Sequence, residues 1–115
     1  MKKYLITLAF FMLTGCVSNN GLYYWGDYTE VLYDYKVNPS NESQASYKES
    51  LVDIIDVSID ENKKIPPGIY FELGLVHLKE GNTSKGMEYI EKEKVNYPES
   101  STIIQLLIQQ MEAKK

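Results

Sequence analysis

The chain has 115 residues, 43% of them hydrophobic and 24% charged, which is enough for one globular domain. Its 12 basic residues are all lysines and are outnumbered by 16 acidic residues, so the formal net charge is −4. Because nucleic acids and anionic headgroups are bound by clustered basic side chains, this composition excludes a nucleic-acid-binding protein and a peripheral protein held to a membrane by charge.

Residues 1–15 have the features of a cleaved signal peptide. Lys2 and Lys3 form a basic start, and residues 4–13 form an apolar run. At about 1.5 Å per residue, a helix over this run covers roughly 15 Å, half of the hydrocarbon core of a bilayer. The run is therefore too short for a stable transmembrane span and predicts a signal peptide.

The segment Leu13-Thr14-Gly15-Cys16 resembles the lipobox of bacterial lipoproteins, in which an apolar residue and two small residues precede a cysteine. The resemblance implies cleavage before Cys16 and a lipid on its sulfur. Cys16 is the single cysteine, so no disulfide can form within the chain. Attached acyl chains hold a protein at a bilayer without a transmembrane helix, and we expect membrane attachment of this kind.

Residues 16–21 are predicted to form a short lipidated tether before a helical domain at residues 22–115. The five residues after Cys16 span at most roughly 17 Å, which keeps the domain close to the bilayer. In enteric-type lipoproteins, an aspartate directly after the lipidated cysteine resembles a signal for retention in the inner membrane. This chain has Val17 at that position. We therefore expect a lipoprotein of the outer membrane that faces the periplasm.

An aromatic cluster opens the domain. Trp25, Tyr28, Leu32 and Tyr35 are spaced at i, i+3, i+7 and i+10, which predicts that they share one face of a helix. One interpretation is core packing, because aromatic side chains bury the largest areas. The other is that Trp25 and Tyr28 form an aromatic platform for a glycan such as peptidoglycan.

A second helix is predicted over residues 43–61, with Ser43 as its N-cap after a turn at residues 38–41. Its predicted apolar face consists of Leu51, Ile54, Ile55 and Ile59. Another face carries the acidic residues Glu49, Asp53, Asp56 and Asp60. Calcium-binding EF-hand loops need carboxylates two residues apart around a central glycine, so we expect these acids to form a solvated helical face.

Three further helices follow. Proline residues break the second helix, and the next helix runs to about Lys79, with Gly81 as its C-terminal stop. Thr83 is predicted to cap a helix that extends to about Asn96. The last helix covers Ser101 to about Ala113 and is rich in apolar residues, which require a partner surface.

The motif Tyr70-x2-Leu73-Gly74-x2-His77, followed by Gly86-x3-Ile90 and Pro98, resembles a tetratricopeptide repeat over residues 67–100. The resemblance implies two helices that approach closely at two small residues, Gly74 and Gly86. Two positions depart from the repeat: Glu93 replaces a small alanine and His77 replaces a tyrosine. A second copy is not found 34 residues upstream. The expected fold is all-α, with tetratricopeptide-like helical hairpins and a C-terminal capping helix.

Three segments extend the resemblance to a family of short bacterial lipoproteins of unknown function. They are Tyr24-Trp25-Gly26-x-Tyr28, Pro66-Pro67-Gly68-Ile69-Tyr70-x-Glu72-Leu73-Gly74 and Tyr97-Pro98-Glu99-Ser100. What the resemblance implies is a lipoprotein that faces the periplasm and is often encoded beside a lipoprotein resembling the curli secretion channel. It thus points to envelope assembly or secretion and supplies no catalytic residues.

The sequence contains no combination of residues that predicts an active site. His77 is the only histidine, and nucleotide-binding and nucleophile motifs do not occur. A metal site with two imidazoles is therefore excluded. We expect no enzyme, no cofactor and no small-molecule substrate.

The last helix is the expected partner surface. Its apolar residues extend around more than one face, and Leu106 and Ile108 are predicted to point away from the stripe that contains Ile104 and Leu107. Exposed apolar patches often mark partner sites, so we expect another envelope protein to bind Leu106, Ile108 and a groove beside His77. The sequence predicts a membrane-anchored interaction or assembly factor. The alternative is a peptidoglycan- or glycan-binding lipoprotein.

Overall fold

A computed structural model describes residues 21–114 of the chain, and within them the structure is all-helical, as predicted. The helices are α1 (Tyr28–Val37), α2 (Asn41–Asp60), α3 (Ile69–Lys79), α4 (Thr83–Asn96) and α5 (Ser101–Ala113), with a 3-10 turn at Pro98–Ser100 before α5. None of the helices in residues 21–114 is long and apolar enough to cross a membrane. The predicted signal peptide and the predicted lipidation site, Cys16, lie outside the described residues.

The core lies mainly between α2 and α3. Its buried members are Tyr47, Leu51, Ile54, Ile55, Ile69, Tyr70, Leu73 and Val76. Helix α1 has no buried residue of its own, but Tyr28, Leu32 and Tyr35 pack against this core from one side. The three residues fall on one helical face, and core packing is therefore the main role of that face.

The first helix is shorter than its aromatic pattern predicts. Trp25 precedes α1, which begins at Tyr28, so the prediction that both residues share a helical face is wrong. Gly26 adopts φ +53°, a left-handed conformation that does not continue a right-handed helix toward Trp25. Trp25 instead remains 40% exposed outside the helix.

Helix α2 begins two residues earlier than predicted, and its N-cap is Ser40 rather than Ser43. The two serines form a capping box. The Ser43 amide donates to Ser40 Oγ at 3.0 Å, and the Ser40 amide donates to Ser43 Oγ at 2.9 Å. These bonds satisfy backbone N–H groups that the first turn of a helix leaves unpaired.

The apolar face of α2 also differs at its C-terminal end. Leu51, Ile54 and Ile55 are buried as predicted, whereas Ile59 is 65% exposed. Ser58 is fully buried in its place. At 100° per residue, Ser58 falls at the centre of the face formed by the three apolar residues, and Ile59 falls at its edge.

Helices α3 and α4 form a hairpin in which the two backbones approach closely. A Cβ atom at Gly74 would lie 2.8 Å from the Gly86 carbonyl oxygen and 2.8 Å from Ile90 Cγ1. A Cβ atom at Gly86 would lie 2.9 Å from the Gly74 carbonyl oxygen. The prediction that Gly74 lies at a close helix–helix contact is confirmed. The N-cap of α4 is Asn82, and Thr83, which was predicted to cap it, is the first helical residue.

Glu93 joins α4 to the start of α3. Its side chain is only 2% exposed, and one carboxylate oxygen accepts a hydrogen bond from the Gly68 amide at 2.7 Å. Gly68 is the N-cap of α3, where unpaired amides create a partial positive charge that favours a carboxylate. Burial raises the Glu93 pKa, and its hydrogen bonds to backbone amides oppose that rise. Glu93, one of the two residues that depart from the repeat pattern, thus holds the hairpin to the preceding linker.

Candidate functional site

Helix α5 exposes most of its apolar side chains. Ile104 is the only buried residue of the helix, at 2% exposed. The large apolar residues left exposed are Ile103 (63%), Leu106 (53%), Leu107 (38%) and Met111 (40%). Residues 21–114 therefore leave much of this helix uncovered.

The predicted partner residues Leu106 and Ile108 lie on different sides of α5. Side chains two positions apart on an α-helix are separated by a rotation of about 200° around the helix axis. Leu106 and Ile108 therefore point in nearly opposite directions. Ile108 follows Ile104 by four residues and is half-buried on the same side, whereas Leu106 is exposed. The expectation that both point away from Ile104 is therefore wrong for Ile108. Their role in partner binding stays a prediction.

An apolar cleft of about 460 Å³ lies where α3, α4 and α5 meet. Its lining residues are Leu75, Leu78, Lys79, Thr83, Met87, Ile108, Met111 and Glu112. We call it the α3–α5 cleft. Met87 and Met111 are 41% and 40% exposed, and the flexible methionine side chain adapts readily to different apolar partners. The cleft was not foreseen from the sequence, because its lining is drawn from three helices.

His77 is buried beneath the surface of the hairpin. It is 7% exposed, and its ring stacks on Tyr89 of α4 with ring centroids 5.5 Å apart. Burial lowers the His77 pKa, and the positive charge of Lys48 lowers it further. Both effects favour the neutral ring at pH 7. The structure thus places His77 in the packing between α3 and α4, and a groove beside it for a partner stays a prediction.

Glu72, which the sequence indicated only as part of a family segment without a role, is a polar residue at the core. Its carboxylate accepts hydrogen bonds from the Tyr28 hydroxyl at 2.7 and 2.9 Å and from the Tyr47 hydroxyl. Burial, followed by the hydrogen bond to Glu72, raises the pKa of both tyrosines. Three helices thus meet at one carboxylate. The sequence signal for this interaction was the presence of one acidic residue, Glu72, in the otherwise mainly apolar sequence of α3.

The two residues of the predicted aromatic platform, Trp25 and Tyr28, have different environments in the structure. The Trp25 and Tyr28 ring centroids are 5.3 Å apart, but the Tyr28 hydroxyl is committed to Glu72. Trp25 has an exposed indole, and Tyr23 packs edge-on against it at 6.3 Å. A glycan platform would consequently be centred on Trp25 and Tyr23 rather than on Trp25 and Tyr28.

The acidic residues of α2 line a second, polar groove of about 450 Å³ beside α1. Asp27, Glu49, Asp53 and Asp56 are all exposed, in agreement with a solvated face. Asp53 accepts a hydrogen bond from the Tyr24 hydroxyl at 3.0 Å, and Asp27 accepts one from Ser50 at 2.7 Å. Across residues 21–114, no group of three metal-ligating side chains is close enough to hold an ion.

Comparisons with known proteins give a family and no characterised relative. Residues 22–107 match the family described as Domain of unknown function (DUF4810). A comparison with curated proteins found no match. A comparison with solved structures found none either. Because the match covers most of the chain, from before α1 to the middle of α5, the protein belongs to the DUF4810 family.

Proposed function

We propose that this protein is a lipid-anchored interaction module of the bacterial cell envelope, which binds a second envelope protein through the α3–α5 cleft. The observation that carries the proposal is the cleft itself, an apolar opening of about 460 Å³ bordered by exposed methionines. Exposed apolar surface in a small domain favours association with a protein partner.

The shape and chemistry of the cleft suit a helical segment. An amphipathic helix binds by placing its apolar face in a hydrophobic groove. Met87 on α4 and Met111 on α5 border the opening, and Leu75 and Leu78 of α3 lie inside its lining. Lys79 and Glu112 at the same cleft offer one charge of each sign to the polar edge of such a helix.

The anchor of the proposed module is the lipid on Cys16. The basic start, the apolar run and the segment Leu13-Thr14-Gly15-Cys16 support it, and Val17 supports the outer membrane. The α3–α4 hairpin with its glycine contact supports a tetratricopeptide-like arrangement, which repeat proteins use for protein binding. The resemblance to lipoproteins encoded beside a secretion-channel-like lipoprotein makes such a protein the first partner to test.

The anchor is tested by the intact mass of the protein purified from membranes. We expect a chain that starts at Cys16 and carries acyl mass, whereas Cys16→Ser should remain an uncleaved precursor without lipid. A wild-type chain that starts elsewhere, or that lacks acyl mass, contradicts the anchor.

The cleft is tested by photo-crosslinking from single positions on α4. A photoreactive residue at Met87, which is 41% exposed and lines the cleft, should capture one envelope protein that mass spectrometry identifies. The matched control is Val95, which is 72% exposed on the same helix but does not line the cleft. Met87→Asp should abolish recovery of that protein while the circular dichroism spectrum remains helical. Equal capture from both positions, or full recovery with folded Met87→Asp, contradicts the proposal.

A second candidate function, glycan binding, is supported by the exposed indole of Trp25 beside Tyr23. Aromatic faces of this kind bind sugars through the apolar side of the ring. Cosedimentation with purified peptidoglycan tests it directly. Trp25→Ala should then reduce binding to peptidoglycan, while crosslinking from Met87 remains unchanged.

A further inference from the structure

The surface of α5 that faces away from the α3–α5 cleft has no partner among the described residues. Its exposed apolar side chains Ile103, Leu106 and Leu107 lie within about 100° of one another around the helix axis. We call these three residues the outer face. Ile108, which lines the cleft, lies on the other side of the helix.

The composition of α5 is unlike that of the other helices. Residues 101–111 contain no charged side chain, whereas α1, α2, α3 and α4 each contain both acidic and basic residues. The polar residues of α5 are mainly glutamines, at 105, 109 and 110. In an acidic protein, residues 101–111 therefore offer an apolar surface without the negative charge that would repel lipid headgroups.

The start of the described chain lies at the same end of the molecule as the start of α5. Tyr23 lies beside Tyr97, whose hydroxyl donates to the Ile65 carbonyl oxygen at 2.5 Å. Burial, followed by the hydrogen bond with Tyr23, raises the Tyr97 pKa to about 12. Tyr97 is followed directly by the turn at Pro98–Ser100 and then by α5. A chain that leaves Gly21 toward Cys16 therefore departs close to α5.

The length of the tether and the length of α5 allow the helix and the lipid on Cys16 to contact the same bilayer. The five residues from Val17 to Gly21 span at most roughly 17 Å. Helix α5, at about 1.5 Å per residue, is roughly 20 Å long. An anchor at Cys16 thus keeps the start of this helix near the bilayer.

We propose that the outer face of α5 lies on the lipid bilayer that holds the acyl chains of Cys16. The inference rests on the lipid anchor of the proposed function and adds the orientation of the domain. A helix in the interfacial plane buries its apolar face about 5–10 Å into the boundary between headgroups and acyl chains. Because the cleft lies on the other side of α5, this orientation leaves the cleft open to a protein partner.

The chemistry of the helix sets the kind of membrane it binds. Without basic residues on the outer face, contact depends on apolar burial and not on anionic lipid. The three apolar side chains bind weakly by themselves, and the anchor supplies the attachment that makes the contact persistent. We therefore expect contact with zwitterionic bilayers and little dependence on salt.

Tryptophan quenching by brominated phosphatidylcholine tests the orientation. Trp25 is the only tryptophan, so Trp25→Phe provides a background without tryptophan fluorescence. Leu106→Trp is added to report on the outer face, and Val95→Trp, on an exposed site of α4, is the matched control. Both lipoproteins are purified with their acyl mass verified and reconstituted into phosphatidylcholine vesicles with and without bromine.

We expect about two-fold stronger quenching at position 106 than at position 95, because only the outer face reaches the acyl boundary. The difference should persist at high salt. If Leu106→Trp disturbs the helical spectrum, Ile103→Trp gives the same readout from the most exposed residue of this face.

Equal quenching at both positions in acylated protein overturns the orientation and leaves the proposed function intact. A blue-shifted emission at position 106 without bromine quenching also overturns it, because the face is then covered by protein. Absence of acyl mass contradicts the anchor, and the orientation fails with it.

Discussion

The α3–α4 hairpin and helix α5 are both rich in apolar residues, but the fold uses them differently. In the hairpin, Ile69, Leu73 and Ile90 are fully buried, and two glycine backbones pack directly against each other. In α5, only Ile104 is buried, and most of the other large apolar side chains of the helix remain exposed. Apolar composition by itself therefore does not identify core. The hairpin contributes buried core residues, whereas we propose that α5 offers its exposed apolar side chains to a partner outside the domain.

The largest effect is expected from Gly74→Leu in the hairpin. The new side chain would meet the Gly86 carbonyl oxygen and Ile90 at separations that no Cβ atom tolerates. Overpacking of this kind should lower the free energy of unfolding by about 1–3 kcal/mol, measured by urea denaturation. Gly74→Ala should also destabilise, whereas alanine stabilises an exposed helix relative to glycine by up to about 1 kcal/mol. Wild-type stability of Gly74→Leu would show that the close contact does not exist.

A smaller, pH-dependent effect is expected from Glu93→Gln. Because burial raises the Glu93 pKa, the folded state holds its proton more tightly than the unfolded state. The stability of wild type relative to Glu93→Gln should therefore be greatest below the ordinary glutamate pKa of 4.5 and should fall as the pH rises through the raised pKa. Glu88→Gln, at an exposed position of the same helix, is the control for the loss of an acidic side chain that is not buried. A slope of the opposite sign would mean that the amides of α3 outweigh burial.

The smallest effect on stability is expected from Leu106→Gln in α5. The side chain is 53% exposed, and surface substitutions usually change the free energy of unfolding by no more than about 0.5 kcal/mol. The same variant should weaken contact with phosphatidylcholine vesicles. Ile104→Gln is the matched contrast, since Ile104 is 2% exposed and its replacement should be clearly destabilising. Equal loss of stability in both variants would show that α5 belongs to the core.

Much of the local structure could be predicted from the sequence. The periodicity and the turn residues placed the bounds of α2 within two residues, the C-terminal end of α4 at Asn96 and both ends of α5 at their observed positions. The repeat pattern also identified the glycine contact between α3 and α4. These features depend on neighbours a few residues apart and on the size of single side chains, which a sequence shows directly.

The cap of α2 and the two acids that are drawn into the interior could not be predicted in the same way. The choice of Ser40 over Ser43 as N-cap depends on where the chain turns into α2, because both residues are suited to capping. Glu72 and Glu93 resemble surface acids in the sequence. Each is drawn inward by donors on elements distant in the chain: two tyrosines for Glu72 and the start of α3 for Glu93.

The sequence by itself determined the helical class and the glycine contact, because both follow from residue type and short-range spacing. Only the tertiary structure decided which apolar residues are covered. Ile104 and Leu106 are equally apolar and two positions apart, yet one is 2% and the other 53% exposed. The difference arises because α3 and α4 meet one side of α5 and leave its other side uncovered. Helical periodicity shows that two such sides exist, and only packing against another element shows which of them is buried.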